Sequence, residues 1–334
     1  MFLLLVTTRG AYLNNPTVVN NPLVLHHTGI KRTIQWHSSS KPVPTWKEVH
    51  LKNNVLLRRG EFGPLRGDRL YQVENECDAL GVQFSQGLSI RKQLMVSKTM
   101  AGFGKLKDEK ILKKMVQMFD RQNKSLLEMA RELDLPPVSI FRAILSWKVL
   151  QLHPELSCGR RKEIVKSIIT EGNNSIIADT FLSAWELQQL QTAKNNDVVG
   201  HERQCSVDTP VMWEEAVCSF LKKRKINFVT ETTLKEAEFK STPDCLILDD
   251  LYINGQLIKW IEVKSFYASG LKENSYFTKK QIKDQMEKYS SNFGSGAFIF
   301  KDGFCRSIKK KYPSTLFLDG GPMSLDSDYV NEYL

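Results

Sequence analysis

"STPDCLILDDLYINGQLIKWIEVKSF", residues 241–266, decides how this chain is read. Asn254-Gly255 lies between two apolar runs, and that dipeptide favours the tight turn of a β-hairpin. "DCLIL" and "LIKWIEVKSF" are therefore expected side by side as antiparallel strands. Pro243 suits the first residue of a strand, where no ladder donor is needed, and this sets Asp244 at the strand's entrance. Side chains alternate along a strand, so Glu262 and Lys264 share one face while Ile261 and Val263 take the other. Three charges then converge on a point between two apolar strands. A fold keeps charge in such a place where it is paired, binds a metal or does chemistry.

The flanking segments add to this point. In the helix expected over "VMWEEAVCSFLKKRK", Glu214 has Val217, Cys218 and Leu221 at i+3, i+4 and i+7, beside the buried stripe. Glu215 looks toward Ser219 and Lys222, and so toward solvent. A polar helix follows at about residues 278–291, with Gln281 and Gln285 four apart on one face and Tyr289 one turn further on. With "INFVTE" before the hairpin and "GSGAFIF" after it, the order is helix, strand, strand, strand, helix, strand. That is an α/β pattern with a small mixed sheet.

Two carboxylates and an ammonium on neighbouring strands suit a hard cation held beside a phosphate. The six cysteines are scattered singly without a CxxC pair, as packed, reduced thiols of an intracellular protein would be. Histidine is equally sparse, so a metal here would be held by carboxylates, which points to Mg²⁺ or Mn²⁺. The plainer alternative has Asp244 capping a strand and Glu262 pairing with Lys264 as a solvated ion pair.

Glu214, Pro243-Asp244 and Glu262-Val263-Lys264 resemble the signature of the PD-(D/E)xK nuclease superfamily: an acid on a first helix, Pro-Asp at a strand start, then Glu-x-Lys on the next strand. "TPD", "GQLIKWIEVKSF" and "DQMEKYSSNFGSGAFIFKDGF" look more particularly like the codanin-interacting nuclease family, over roughly residues 205–306 and loosely over 68–200. The chain departs from that pattern after Lys264, with "SFYASG" where a Gly-Asp pair is expected. The resemblance implies a restriction-endonuclease-like fold, akin to archaeal Holliday junction resolvases, and metal-dependent hydrolysis of a DNA phosphodiester. It assigns Asp244, Glu262 and the Val263 carbonyl to the metal, Glu214 to its shell or a second ion, Lys264 to the attacking water, and Gln285 rather than Gln281 to substrate or water. It also implies a codanin-like partner from chromatin assembly, in nucleus and cytoplasm. Junction resolvases act as dimers, so a homodimer is a further expectation, one that no residue pattern here carries. A nuclease fold kept as a DNA- or protein-binding adaptor, without activity, is the competing class.

At 334 residues, with 41% apolar and 25% charged, the chain is long enough for two or three domains. No apolar run approaches eighteen residues, so no membrane span is expected. A formal charge of +10 and a pI near 9.2 favour polyanions as partners, nucleic acid first. The runs beginning at Lys222-Lys223 and at Lys309 could track phosphates, although such runs also serve as plain solvated faces. Tyr267, Tyr276 and Phe277 lie near the site and could stack on a splayed base, or simply pack a loop.

Three regions are expected: residues 1–60 irregular, 61–200 helical, and 201–334 carrying the α/β site. The first 47 residues contain no Asp or Glu and five basic residues, which fits a mitochondrial address as an alternative to an irregular extension. In the helical region, breaks are expected near 102–104, 159 and 172–174. "KSLLEMARELDLPPVSIFRAILSWKVL", residues 124–150, has the layout of a helix-turn-helix. Ser125 and Glu128 form a capping box, and Asp134 stands where the turn usually has Gly. Val138, Phe141, Ile144 and Leu145 face inward, leaving Ser139, Arg142 and Ser146 to face DNA or a protein.

Overall fold

The computed structural model describes residues 25–171, 181–200, 208–272 and 277–321, which fall into two compact units. One is helical and spans residues 46–208; the other is built from residues up to 45 together with most of the chain from 209 onward.

The helical unit contains α1 (Thr45–Leu51), α2 (Asp68–Ala79), α3 (Phe84–Lys107), α4 (Glu109–Val116), α5 (Leu126–Leu133), α6 (Pro137–Leu152), α7 (Cys158–Glu171) and α8 (Ala184–Asn195). The capping box expected at α5 is formed, with Ser125 and Glu128 satisfying each other's backbone N–H. Ala130, Val138, Phe141, Ile144 and Leu145 are buried in one core with Met115, Phe119 and Leu190. Between α5 and α6, Asp134 takes the left-handed conformation at φ 57°, ψ 48°, which favours glycine. Its carboxylate accepts from the Gly60 N–H at 2.8 Å and pairs with Lys98 at 2.7 Å, contacts a glycine could not make. The hairpin of helices is thus present, with Arg142 and Ser146 exposed and Ser139 half-buried.

The break expected at residues 102–104 is absent, because α3 runs on to Lys107. Gly102 is there for closeness instead: a Cβ on it would lie 2.4 Å from Leu135 Cδ2. Gly159 lies inside the first turn of α7, and residues 172–174 are outside the described residues.

The other unit is a six-stranded mixed sheet of β1 (Lys31–Ile34), β2 (Phe228–Thr230), β3 (Cys245–Ile253), β4 (Gln256–Lys264), β5 (Gly296–Phe300) and β6 (Leu316–Asp319). Its order is β1-β3-β4-β5-β6, with β2 also paired to β3. The hairpin β3–β4 is antiparallel and turns at Asn254 and Gly255, both with positive φ. The β4–β5 and β5–β6 pairs are parallel, which leaves β4 and β5 central and almost wholly buried. The helices α9 (Asp208–Lys223), α10 (Glu231–Glu236), α11 (Asp284–Phe293) and α12 (Arg306–Lys311) complete it.

Alternation along the strands gives the sheet two different faces. Ile261, Val263, Ala297 and Ile299 pack with Trp213, Val217, Phe220 and Leu221 of α9. On the other face Trp260, Phe298, Phe300 and Phe317 make a run of ring contacts at 5.5–5.9 Å. Gly296 is needed for this layer, since a Cβ on it would stand 2.1 Å from the Trp260 ring.

Part of the leader expected to be irregular is a strand of this sheet. β1 pairs in parallel with Asp250–Ile253, and Ile34 and Trp36 are buried in the α9 core. The short polar and proline-rich segments around it hide the signal, because a four-residue edge strand carries too little periodicity to stand out. β3 serves two partners along one edge, β2 over Cys245–Ile247 and then β1 over Asp250–Ile253.

Candidate active site

Asp244 immediately precedes β3, and the Cys245–Ile261 pair next to it sets Asp244 against Glu262 on β4. The Val263 N–H donates to Asp244 Oδ2 at 2.6 Å, and the Asp244 N–H donates to Glu262 Oε2 at 3.4 Å. Lys264 Nζ donates to Glu262 Oε1 at 2.7 Å. This ion pair is buried, with Glu262 only 3% and Lys264 only 9% exposed, so the solvated pair of the plainer reading is not what forms. Desolvating both ions costs several kcal/mol each, which a surface pair would avoid.

Asp244 is the uncompensated member. Burial, then the charge of Glu262, push its carboxyl up to about 8, against the Val263 hydrogen bond and Lys264. Asp249, five residues along the same strand, is the instructive contrast. Burial raises it too, but donors from Thr28 and from the Asn227 backbone and side chain, with Arg32 nearby, outweigh burial and hold it below the ordinary range. Asp249 is a satisfied structural charge that anchors the neighbouring backbone. Asp244 instead faces like charges, which is the condition under which a carboxylate needs a cation or a proton.

Glu214 on α9 is half-buried and Glu215 exposed, each on its expected side. The Glu214 carboxyl is raised by burial and then by the charges of Glu231 and Glu262, with Lys264 and Lys235 opposing. Glu231 was not singled out from the sequence. It opens α10 directly after β2, and its N–H donates to the Asp244 carbonyl at 3.2 Å. Its carboxylate pairs with Lys235 at 2.7 Å and accepts from Thr242 Oγ1 at 3.5 Å. The signal was the β2–β3 register, Thr230 opposite Cys245, which a three-residue strand does not announce.

A π-helical turn, Phe277–Lys283, leads into α11. Gln285 Oε1 is buried without a hydrogen-bond partner, and one turn on, the Tyr289 hydroxyl donates to the Thr242 carbonyl at 3.3 Å. Burial, then the charges of Glu262 and Asp244, raise the Tyr289 hydroxyl's pKa strongly. Gln281 is half-buried on the preceding turn. Tyr267 is fully buried and so packs the core instead of meeting a base, while Tyr276 and the Phe277 side chain lie outside the described residues. Lys222 and Lys223 are exposed at the end of α9, and Lys309, Lys310 and Lys311 on α12.

The donor chemistry fits a hard cation. Two mutually repelling carboxylates, Asp244 and Glu262, meet at one strand entrance, and a buried amide oxygen on α11 lacks a donor. Among the described residues no group of three or more His, Cys, Asp or Glu side chains is gathered so as to hold a metal. The set that fits is the smaller one, as Mg²⁺ takes one or two carboxylates and keeps several waters.

A family described as "Protein of unknown function TPD sequence-motif" matches residues 183–319, which include Thr242-Pro243-Asp244. The chain is 28% identical over 203 residues to "CDAN1-interacting nuclease 1" of Xenopus tropicalis, covering 60% of this chain and 62% of that protein. The human protein of the same name is 26% identical, over 55% of this chain and 61% of its own length. An uncharacterized protein of Acanthamoeba polyphaga mimivirus is 33% identical over 35% of this chain and 42% of that one. The chain therefore spans less than two thirds of the length of these relatives. No solved structure matches it.

Proposed function

From a chain related to the CDAN1-interacting nucleases, we propose a metal-dependent nuclease of the PD-(D/E)xK kind that hydrolyses DNA phosphodiester bonds. The observation that carries the reading is the buried Glu262–Lys264 pair beside an Asp244 that burial and Glu262 hold near neutral pKa. Such an arrangement is unfavourable for folding alone and useful for phosphate chemistry.

Asp244, Glu262 and the Val263 carbonyl would hold Mg²⁺ or Mn²⁺, with Glu214 closing the shell from α9. When bound, such a cation polarises a phosphate and lowers the pKa of water. Lys264, positioned by Glu262, orients the attacking water and offsets charge developing on the phosphate. Gln285 offers its free amide oxygen to a water or to substrate. Exposed Lys222 and Lys223 offer positive charge to a DNA backbone, and the helical unit, taken by itself, offers Arg142 and Ser139. A codanin-like protein as partner, work in nucleus and cytoplasm or in mitochondria, and a homodimer able to cut two strands belong to the same proposal.

The test is cleavage of a labelled panel of junction, flap, single-stranded and duplex DNA with Mg²⁺ or Mn²⁺, wild type beside Glu262→Gln and Asp244→Asn. Cleavage by the wild type that both variants lose supports the reading. Equal cleavage by all three removes the site, and no cleavage of any substrate favours an adaptor that binds without cutting.

A further inference from the structure

The cysteines read singly from the sequence are not all single in space. Cys218 on α9 and Cys245 at the start of β3 bring their sulfurs to 3.7 Å. Cys218 is about one helical turn beyond Glu214, and Cys245 follows Asp244 directly, so the two thiols sit on or beside the elements that carry two of the site's acids. Cys245 is fully buried, whereas Cys218 is half-buried and is the more accessible of the two.

We propose that Cys218 and Cys245 form a reversible disulfide that disables the acidic site when a peroxide is present; this regulatory role rests on the nuclease reading, while the linkage itself does not. The Cys218 thiolate attacks the peroxide O–O bond, becoming a sulfenic acid as water leaves. The Cys245 thiol then attacks that sulfur, an S–S bond forms, and a second water departs. Two thiols have lost two electrons, and the peroxide has been reduced to two waters. A small thiol reductant reverses the step by exchange.

Closing the sulfurs from 3.7 Å to the roughly 2.05 Å of a disulfide draws α9 against the β3 entrance. Glu214 and Asp244 stand one helical turn and one residue from the linked sulfurs, so any backbone adjustment on linkage moves their side chains, and Asp244 is held through a 2.6 Å hydrogen bond that tolerates little displacement. In metal-site and phosphate chemistry a misplacement of about 1 Å costs on the order of 100-fold in rate.

The experiment treats the reduced full chain with hydrogen peroxide and maps the unreduced digest by mass spectrometry, then repeats cleavage before and after addition of dithiothreitol. The expected result is a Cys218–Cys245 peptide two hydrogens lighter, with at least tenfold loss of cleavage restored by reductant. Cys218→Ser and Cys218→Ala should give no such peptide and cleavage that resists peroxide. Absence of the linked peptide, or linkage of Cys218 to another cysteine, overturns the proposal. A linked protein that cuts as fast as the reduced one overturns the regulatory role. If the reduced chain cuts no DNA, the nuclease reading fails; the linkage is still read by mass, and the shift of Glu214 and Asp244 by comparing their carboxyl NMR signals in the two forms, unchanged signals overturning it.

Discussion

The Val263 N–H donates to the Asp244 carboxylate across 2.6 Å, so the strand that carries the second acid also orients the first. Asp244 precedes β3, with its backbone bonded to Glu262 and Glu231, and the Val263 bond fixes the side chain as well. Tied to β4, it keeps its place opposite Glu262 before any ion or substrate arrives, which is the preorganisation that charge-stabilising sites depend on.

Asp244→Asn should lower cleavage by at least about 100-fold, on the scale of losing a preorganised charge stabiliser. Its amide oxygen still accepts from Val263, so circular dichroism should be unchanged.

Stability should depend on pH through the same residue. The folded carboxyl is raised from 3.8 to about 8, so its ionised form is disfavoured in the fold. Its contribution is full below 3.8 and is lost as pH rises toward about 8. Thermal melts of the metal-free chain should show this fall, Asp244→Asn should flatten it, and Mg²⁺ or Mn²⁺ should raise the melting temperature more at pH 8 than at pH 6.

Lys264→Met leaves Glu262 buried without its 2.7 Å partner. Denaturant titration should show a loss of about 3–5 kcal/mol. Pairing it with Glu262→Leu should recover much of that stability while cleavage stays absent, separating the pair's place in the fold from its place in the chemistry.

Glu231→Gln should lower the Glu214 pKa, because the Glu231 charge is the largest repulsion raising it after burial. Carboxyl carbon NMR titration reads the shift directly; an unmoved Glu214 would separate the two side chains.

Gly296→Ala places a Cβ 2.1 Å from the Trp260 ring, on backbone that the β4–β5 pairing holds. A loss of about 1–3 kcal/mol is expected from overpacking. Since Trp260 packs on Tyr289 at 5.4 Å, the Tyr289 hydroxyl contact beside the site should loosen as well, which cleavage kinetics would register.

The sequence made the hairpin legible because Asn254-Gly255 has a single strong structural meaning and the strands beside it are long. The same alternation set Glu262 and Lys264 on one face, and helical spacing set Glu214 inward. Glu231 escaped because its placement comes from pairing between distant segments, which local pattern does not encode. Asp249 shows the reverse difficulty: as a letter it looks like Asp244, and only its donors, Thr28 and Asn227, reveal it as structural. β1 was hidden by its length, and Gly102 looked like a break because close packing and chain breaking use the same residue.

The pairing of β1 with β3 has a further consequence on the ribosome. Trp36 receives a hydrogen bond partner in Asn254, 218 residues later. At about 5–20 residues per second, the leader waits on the order of 10–40 seconds for β3 to be synthesised. Throughout that interval Ile34 and Trp36 have no sheet to join, so β1, made before every other described strand of its unit, stays unpaired until β3 is synthesised and then joins the sheet before β5 and β6 exist.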